Sequence, residues 1–259
     1  MFDAGVNLLD RRFDPVEVIH NAAEAGLTGM LIISSDIEES DKARQFCHQY
    51  NGKPIQLRYT AGVHPHAAST WTNKSFDQLR LLAADKLCAA IGECGLDFNR
   101  NFSTPEEQKY AFLQQLKIAE VCNMGLYLHE RDAFATQVDM LQKYAENAKF
   151  KVAHCFTGGI DNIKTYLALD CFIGITGWLC DPKRAAELRE AVSQLPLNRL
   201  LLETDAPYLF PKNIRPRAKN NEPKLLNAIA IMLSELINVD IVEIQRCSAA
   251  NAQRLFLSK

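Results

Sequence analysis

Eight short apolar runs, each followed by a stretch of helical character, restrict this chain to very few architectures. The runs cover residues 2–8, 30–33, 57–63, 87–91, 126–129, 150–154, 171–175 and 199–203. Met30-Leu31-Ile32-Ile33 is too apolar to be half exposed, and such runs belong to parallel sheets covered on both faces. The segments between them carry helix signals. Asp14 is an N-cap, Pro15 takes the first helical position and Gly26 follows the end. Thr104, Pro105 and Glu107 have the pattern of a capping box with proline at the first turn. Helices are expected over residues 15–25, 37–50, 75–87, 105–122, 133–144, 161–168, 182–193, 224–237 and 241–257. Eight strand–helix alternations in 259 residues match a (β/α)8 TIM barrel. An open doubly wound sheet is the alternative, but no G-x-G-x-x-G follows an early strand. No repeat or composition break divides the chain, so residues 1–259 are read as one domain.

In a barrel the loops after the strands lie on one face, where active sites are built. Four apolar runs of this chain end in groups that sit poorly in a core. Glu93 follows Ile91 between Gly92 and Gly95, which let the backbone bend and a ligand approach. His129, His154 and the pair Glu203 and Asp205 end three later runs. A carboxylate at a buried strand end costs free energy unless a positive group meets it. Glu93, His129, His154 and Asp205 are therefore read as ligands of one divalent metal, with imidazole nitrogen and carboxylate oxygen as donors. Cys94 and Cys155 adjoin ligands and are expected on the opposite strand face. Asp205 is read as ligand or general base, and Glu93 and Asp205 as the catalytic carboxylates.

Further residues fall on the same face. His64 and His66 flank Pro65 after the third run, and Asn99 and Arg100 follow the fourth. Arg215 and Arg217 lie in the basic stretch from Lys212 to Lys224 after the eighth. All six are candidate substrate contacts, chiefly to phosphate, with an outer-shell contact as the alternative for His64 and His66. Trp71 and Trp178 follow strands and are candidates to stack a base. In the first run Asp3, Gly5 and Asn7 are expected to share one face. The formal net charge is −2, which removes any global basic field and leaves only a local rim for holding nucleic acid. The eight cysteines show no C-x-x-C spacing and no disulfide framework, as in a reducing cytosol. No signal peptide or membrane span is read from the sequence.

The motifs Ile91-Gly92-Glu93-Cys94-Gly95-Leu96-Asp97, Gly62-Val63-His64-Pro65-His66, His154-Cys155-Phe156-Thr157-Gly158 and Glu203-Thr204-Asp205-Ala206-Pro207-Tyr208 resemble those of TatD-type metal-dependent DNases. The resemblance runs from Met1 to the last helix. It implies a TIM barrel of the metal-dependent amidohydrolase type and the ligand set Glu93, His129, His154 and Asp205. It further implies Mg2+, with Mn2+ or Zn2+ as alternatives, and hydrolysis of nucleic-acid phosphodiesters. The substrates implied are single-stranded DNA or RNA ends, cut from 3′ to 5′, with a link to repair of oxidative damage. A cytoplasmic monomer is expected. Many relatives carry Asp-x-His-x-His on the first strand, where this chain has Asp3-Ala4-Gly5-Val6-Asn7. That difference speaks against a tightly held second metal. Glu130 stands where relatives commonly have cysteine and is expected to point away from the barrel axis. A metal-dependent amidohydrolase or deacylase acting on a small ester or amide is the competing reading.

Overall fold

A computed structural model describes residues 1–258. Eight parallel strands form one sheet in sequential order: β1 (Phe2–Val6), β2 (Gly29–Ile32), β3 (Gln56–Ala61), β4 (Cys88–Asp97), β5 (Gly125–Arg131), β6 (Lys151–Ala153), β7 (Cys171–Ile175) and β8 (Leu200–Leu202). Just beyond β8 the sheet closes on β1. Asp205 N–H donates to Gly5 C=O and Asn7 N–H donates to Ala206 C=O, both at 2.9 Å. The seam is also held by Asp3, whose carboxylate accepts from the backbone N–H and hydroxyl of Thr204. This is the expected TIM barrel.

The helices are α1 (Pro15–Glu24), α2 (Ile37–Tyr50), α3 (Ser75–Ala83), α4 (Pro105–Val121), α5 (Phe134–Tyr144), α6 (Ile160–Ala168), α7 (Ala186–Ala191), α8 (Leu226–Ile237) and α9 (Ile241–Phe256). Local chemistry sets their starts. Asp14 accepts from the N–H groups of Val16 and Glu17, and Thr104 and Glu107 form the reciprocal capping box. The helix expected over 182–193 is shorter, with 3-10 turns before and after it (Gly177–Cys180 and Val192–Gln194).

Strand alternation divides the core in two. Leu126, Leu128, Ile173, Leu200 and Leu202 point outward to the helices. Phe2, Leu31, Tyr127, Val152, Phe172 and Leu201 fill the barrel, whose strand-start end is plugged by Ala252, Leu255 and Phe256 of α9. The lower barrel is thus dry and the opposite end carries the polar groups. No single helix among the described residues is long and apolar enough to cross a membrane.

Two irregularities aim residues at that end. In β4, Ile91 pairs with Leu126 but Cys94 pairs with Leu128, so β4 holds one extra residue and continues past its expected end to Asp97. In β1 a similar shift falls between Asp3 and Val6. Asp3, Gly5 and Asn7 therefore do not share one face. Asp3 turns to the seam with Thr204, while Gly5 faces the interior and Asn7 the mouth.

Candidate active site

The strand ends open into a cavity of about 760 Å³, within the ~300–1,000 Å³ usual for small-molecule and cofactor sites. Its floor is built by residues from six strands. Glu93 Oε1 lies 2.9 Å from His129 Nδ1, 3.4 Å from His64 Nε2 and 3.8 Å from His154 Nε2. His154 Nε2 is also 3.8 Å from Asp205 Oδ1, which accepts a 2.9 Å hydrogen bond from Asn7 Nδ2. The four expected ligands thus converge, and His64 joins them. Its ring stands against Glu93 and His129, deeper than a contact to substrate phosphate requires.

Burial alone would raise the Glu93 carboxyl, but the imidazoles of His64, His154 and His129 reverse this and hold it well below the ordinary range. Burial would likewise lower both other histidines. The carboxylates of Asp97 and Glu93, one facing each ring nitrogen, instead bring His129 to about 9, and those of Glu203 and Glu93 bring His154 to about 10. Burial pushes Asp205 up to about 7 against the pull of His154, and burial lowers His64 to about 4. This crowd of carboxylates calls for positive charge, which protons on the histidines or a cation can supply. The donor set fits a cation. One ligand atom each from His64, Glu93 and His129 lie within 4.8 Å of one another, as do those of His154, Cys155 and Asp205. His129 Nε2 is buried with no well-formed hydrogen bond, its nearest carboxylate oxygen being Asp97 Oδ2 at 3.5 Å, so a ligand there would meet an under-satisfied nitrogen.

Several contributors lie outside the ligands and substrate contacts expected from sequence. Glu203 is fully buried; it takes His154 Nδ1 at 2.7 Å, the Tyr127 hydroxyl at 2.5 Å and Cys155 N–H at 2.5 Å. With Nδ1 so engaged, His154 presents Nε2 to the cavity. Gly5 and Gly174 make the space, because a Cβ at either would collide with Glu203. Asp97 holds His66 Nε2 at 2.6 Å and accepts from the N–H groups of Asn99 and Arg100. The period of two offered a signal for Tyr127 and Glu203, which share strand faces with His129 and Leu201.

Cys155 departs from expectation. Its φ of 45° swings the thiol into the cavity instead of the outer face, whereas Cys94 does pack outward. Glu130 also borders the cavity while accepting from Ala133 N–H at the start of α5. His66, Asn99 and Arg100 line the mouth, but Arg215 and Arg217 do not. Arg215 donates to the carbonyls of Lys212 and Ile214, and Lys212 is paired with Asp181 at 2.6 Å. Arg100, Arg131 and Arg184 form the basic rim instead. The Arg184 guanidinium lies 4.1 Å from the ring centre of Trp178, which lines the cavity; Trp71 packs on the core.

Comparison with known proteins gives a consistent placement. A family described as TatD related DNase matches residues 2–257. The "3'-5' ssDNA/RNA exonuclease TatD" of Cronobacter sakazakii is 44% identical, over 99% of this chain and 98% of its own length. The protein of the same description from Erwinia tasmaniensis is 45% identical, over 99% of both chains. The crystal structure of a hydrolase TatD family protein from Entamoeba histolytica superposes with a TM-score of 0.90 at 25% identity, covering 100% of this chain and 98% of that one. With its barrel, its carboxylate–imidazole floor and a family match spanning nearly every residue, the chain belongs to the TatD related DNase family.

Proposed function

We propose that this chain is a divalent-metal-dependent nuclease that removes nucleotides from the 3′ ends of single-stranded DNA and RNA. The observation that carries this reading is the pairing of an acidic, histidine-rich floor with a rim of Arg100, Arg131, Arg184 and Trp178. Relatives at 44–45% identity bear the corresponding description. A neutral amide or ester has no use for three arginines, so the rim favours phosphodiesters over deacylation.

Glu93, His129, His154 and Asp205 would hold the cation, with His64 beside them; Mg2+ suits the oxygen donors. Such a cation supplies Lewis acidity, acidifying water and neutralising charge on phosphoryl oxygens. The chain does the rest. Glu203 fixes His154 by its Nδ1, and Asn7 orients Asp205 through Oδ1. Asp205, oriented by Asn7 and facing His154 across the floor, is placed to take a proton from the attacking water. His66, anchored on Asp97, and the rim arginines receive the phosphate oxygens, while Trp178, covered by Arg184, borders the mouth where the terminal base would lie.

A concave pocket accepts a strand end more readily than a continuous backbone, and a paired end must first unstack. The test is hydrolysis of labelled linear and covalently closed single-stranded DNA of one sequence, titrated with Mg2+ and repeated with chelator. The linear form should be shortened from its 3′ end and the circle should persist. Equal cutting of the two would overturn the end-directed reading; equal rates with and without chelator would overturn the metal.

A further inference from the structure

The cavity floor divides by donor type. On one side Glu93, His64 and His129 offer oxygen and nitrogen; on the other, His154, Cys155 and Asp205 offer nitrogen, sulfur and oxygen. Among the described residues Cys155 is the one cysteine that borders the cavity. Its position is built. The left-handed backbone at φ 45° is rare for a residue with a side chain and is held here by the 2.5 Å bond from Cys155 N–H to buried Glu203. The sulfur stands 3.6 Å from Thr176 Oγ1. The same Glu203 carboxylate occupies His154 Nδ1, leaving Nε2 free on the cavity side, 3.8 Å from Asp205 Oδ1. One carboxylate therefore orients two of the three donors.

We propose that His154, Cys155 and Asp205 form a site for a thiophilic divalent cation, Zn2+ in the first instance, with the Cys155 thiolate as a direct ligand. The inference rests on the proposed function only in using the same cavity. Zinc bonds of about 2.0–2.3 Å place tetrahedral neighbours roughly 3.5 Å apart. The nitrogen–oxygen pair is already near that spacing at 3.8 Å, and one ligand atom each of His154, Cys155 and Asp205 lie within 4.8 Å of one another. A fourth position stays open toward the cavity. On binding, the sulfur–zinc bond forms and the thiol proton leaves to solvent. Hard Mg2+ gains little from sulfur, whereas Zn2+ gains much, so donor softness separates the two cations. Zinc held there draws on His154 and Asp205, which the proposed hydrolysis needs.

The test uses the full chain freed of metal and loaded with Co2+ as a spectroscopic stand-in for Zn2+. Thiolate ligation gives an intense near-ultraviolet sulfur-to-cobalt charge-transfer band. The band should appear in the unaltered protein at one equivalent of Co2+ and be absent in Cys155→Ser and in Cys155→Ala. Zn2+ affinity, measured by competition with a chromophoric chelator, should fall at least about tenfold in both variants, while Mg2+ affinity changes less than about threefold. Two replacements of different polarity guard against a single misfolded variant, and each is checked by its far-ultraviolet dichroism. A missing band in the unaltered protein, a band that survives both variants, or unchanged Zn2+ affinity would each overturn the site. None of these readouts needs nuclease activity. A protein that shows the band yet hydrolyses nothing would refute the proposed function and leave the metal site standing.

Discussion

The interior contact between Gly5 and Tyr127 lends itself to a quantitative test. A Cβ built at Gly5 lies 2.7 Å from Glu203 Oε2 and still closer to the Tyr127 hydroxyl, with Tyr127 Cζ next at 3.3 Å. Ordinary contact begins near 3.4 Å. Gly5→Ala must therefore push Glu203 back by about 0.7 Å and Tyr127 further, in a core with few voids. Overpacking of this kind costs about 1–3 kcal/mol. The displaced hydroxyl has one proton, with Glu203 at 2.5 Å and Ala4 C=O at 2.9 Å as its acceptors, and disturbing that bond adds ~1 kcal/mol. A loss of roughly 3 kcal/mol is expected, some 6–12 °C in Tm for a chain of this size. Tyr127→Phe removes the oxygen, the worse of the two clashes, and leaves Cζ at 3.3 Å, just inside ordinary contact, at its own cost of about 1–2 kcal/mol. The double variant should then be more stable than the sum of the two losses by about 1–3 kcal/mol. Urea unfolding of the four proteins measures this coupling. Additivity within ~0.5 kcal/mol would show that Tyr127 does not occupy the space in front of Gly5.

Three further outcomes are expected. Asp205→Asn preserves size and removes the charge, and turnover on single-stranded oligonucleotide should drop at least about 10²-fold; a near-normal rate would remove Asp205 from the chemistry. Arg184→Ala should weaken binding and make the salt slope shallower by about 0.7, the value for one phosphate on a single strand, whereas Arg215→Ala and Arg217→Ala should leave the slope unchanged; fluorescence anisotropy across a salt series distinguishes the two. Burial pushes Asp3 up to about 7 against its bonds from Thr204, so between roughly pH 4 and pH 7 the folded chain keeps a proton the unfolded chain has released. Stability contributed by this group accordingly falls as pH rises through that window, by about 1.4 kcal/mol per pKa unit, and is constant above it. Asp3→Asn lacks the term, so urea midpoints of the two proteins should draw together as pH rises from 4.5 to 7.5, and parallel curves would refute the assignment.

The barrel, and the end of it on which the candidate site lies, were legible in the sequence alone. Eight apolar runs alternating with capped helices admit few folds, and the runs ending in Glu93, His129, His154 and Asp205 mark one face because βα loops all emerge there. The motifs around Glu93, His64, His154 and Asp205 likewise carry the family, since they are continuous stretches of chain. Tertiary structure decided what depends on fractions of a turn or on distant partners. The bulges in β1 and β4 separate Asp3 from Asn7 and re-aim Glu93, because one extra residue inverts the strand parity that sequence reading assumes. A left-handed φ returns Cys155 to the cavity, a choice invisible in residue type. Glu203 acquires its role only where Tyr127, His154 and Cys155 arrive from other strands. The basic loop after β8 looked like the phosphate rim, yet Lys212, Arg215 and Arg217 do not line the mouth, while Arg100, Arg131 and Arg184 do, Arg184 and Lys212 sharing the Asp181 carboxylate at 2.6 Å each. Charge counts along a chain are local, but whether a charge faces the cavity depends on ion pairs between segments far apart in sequence.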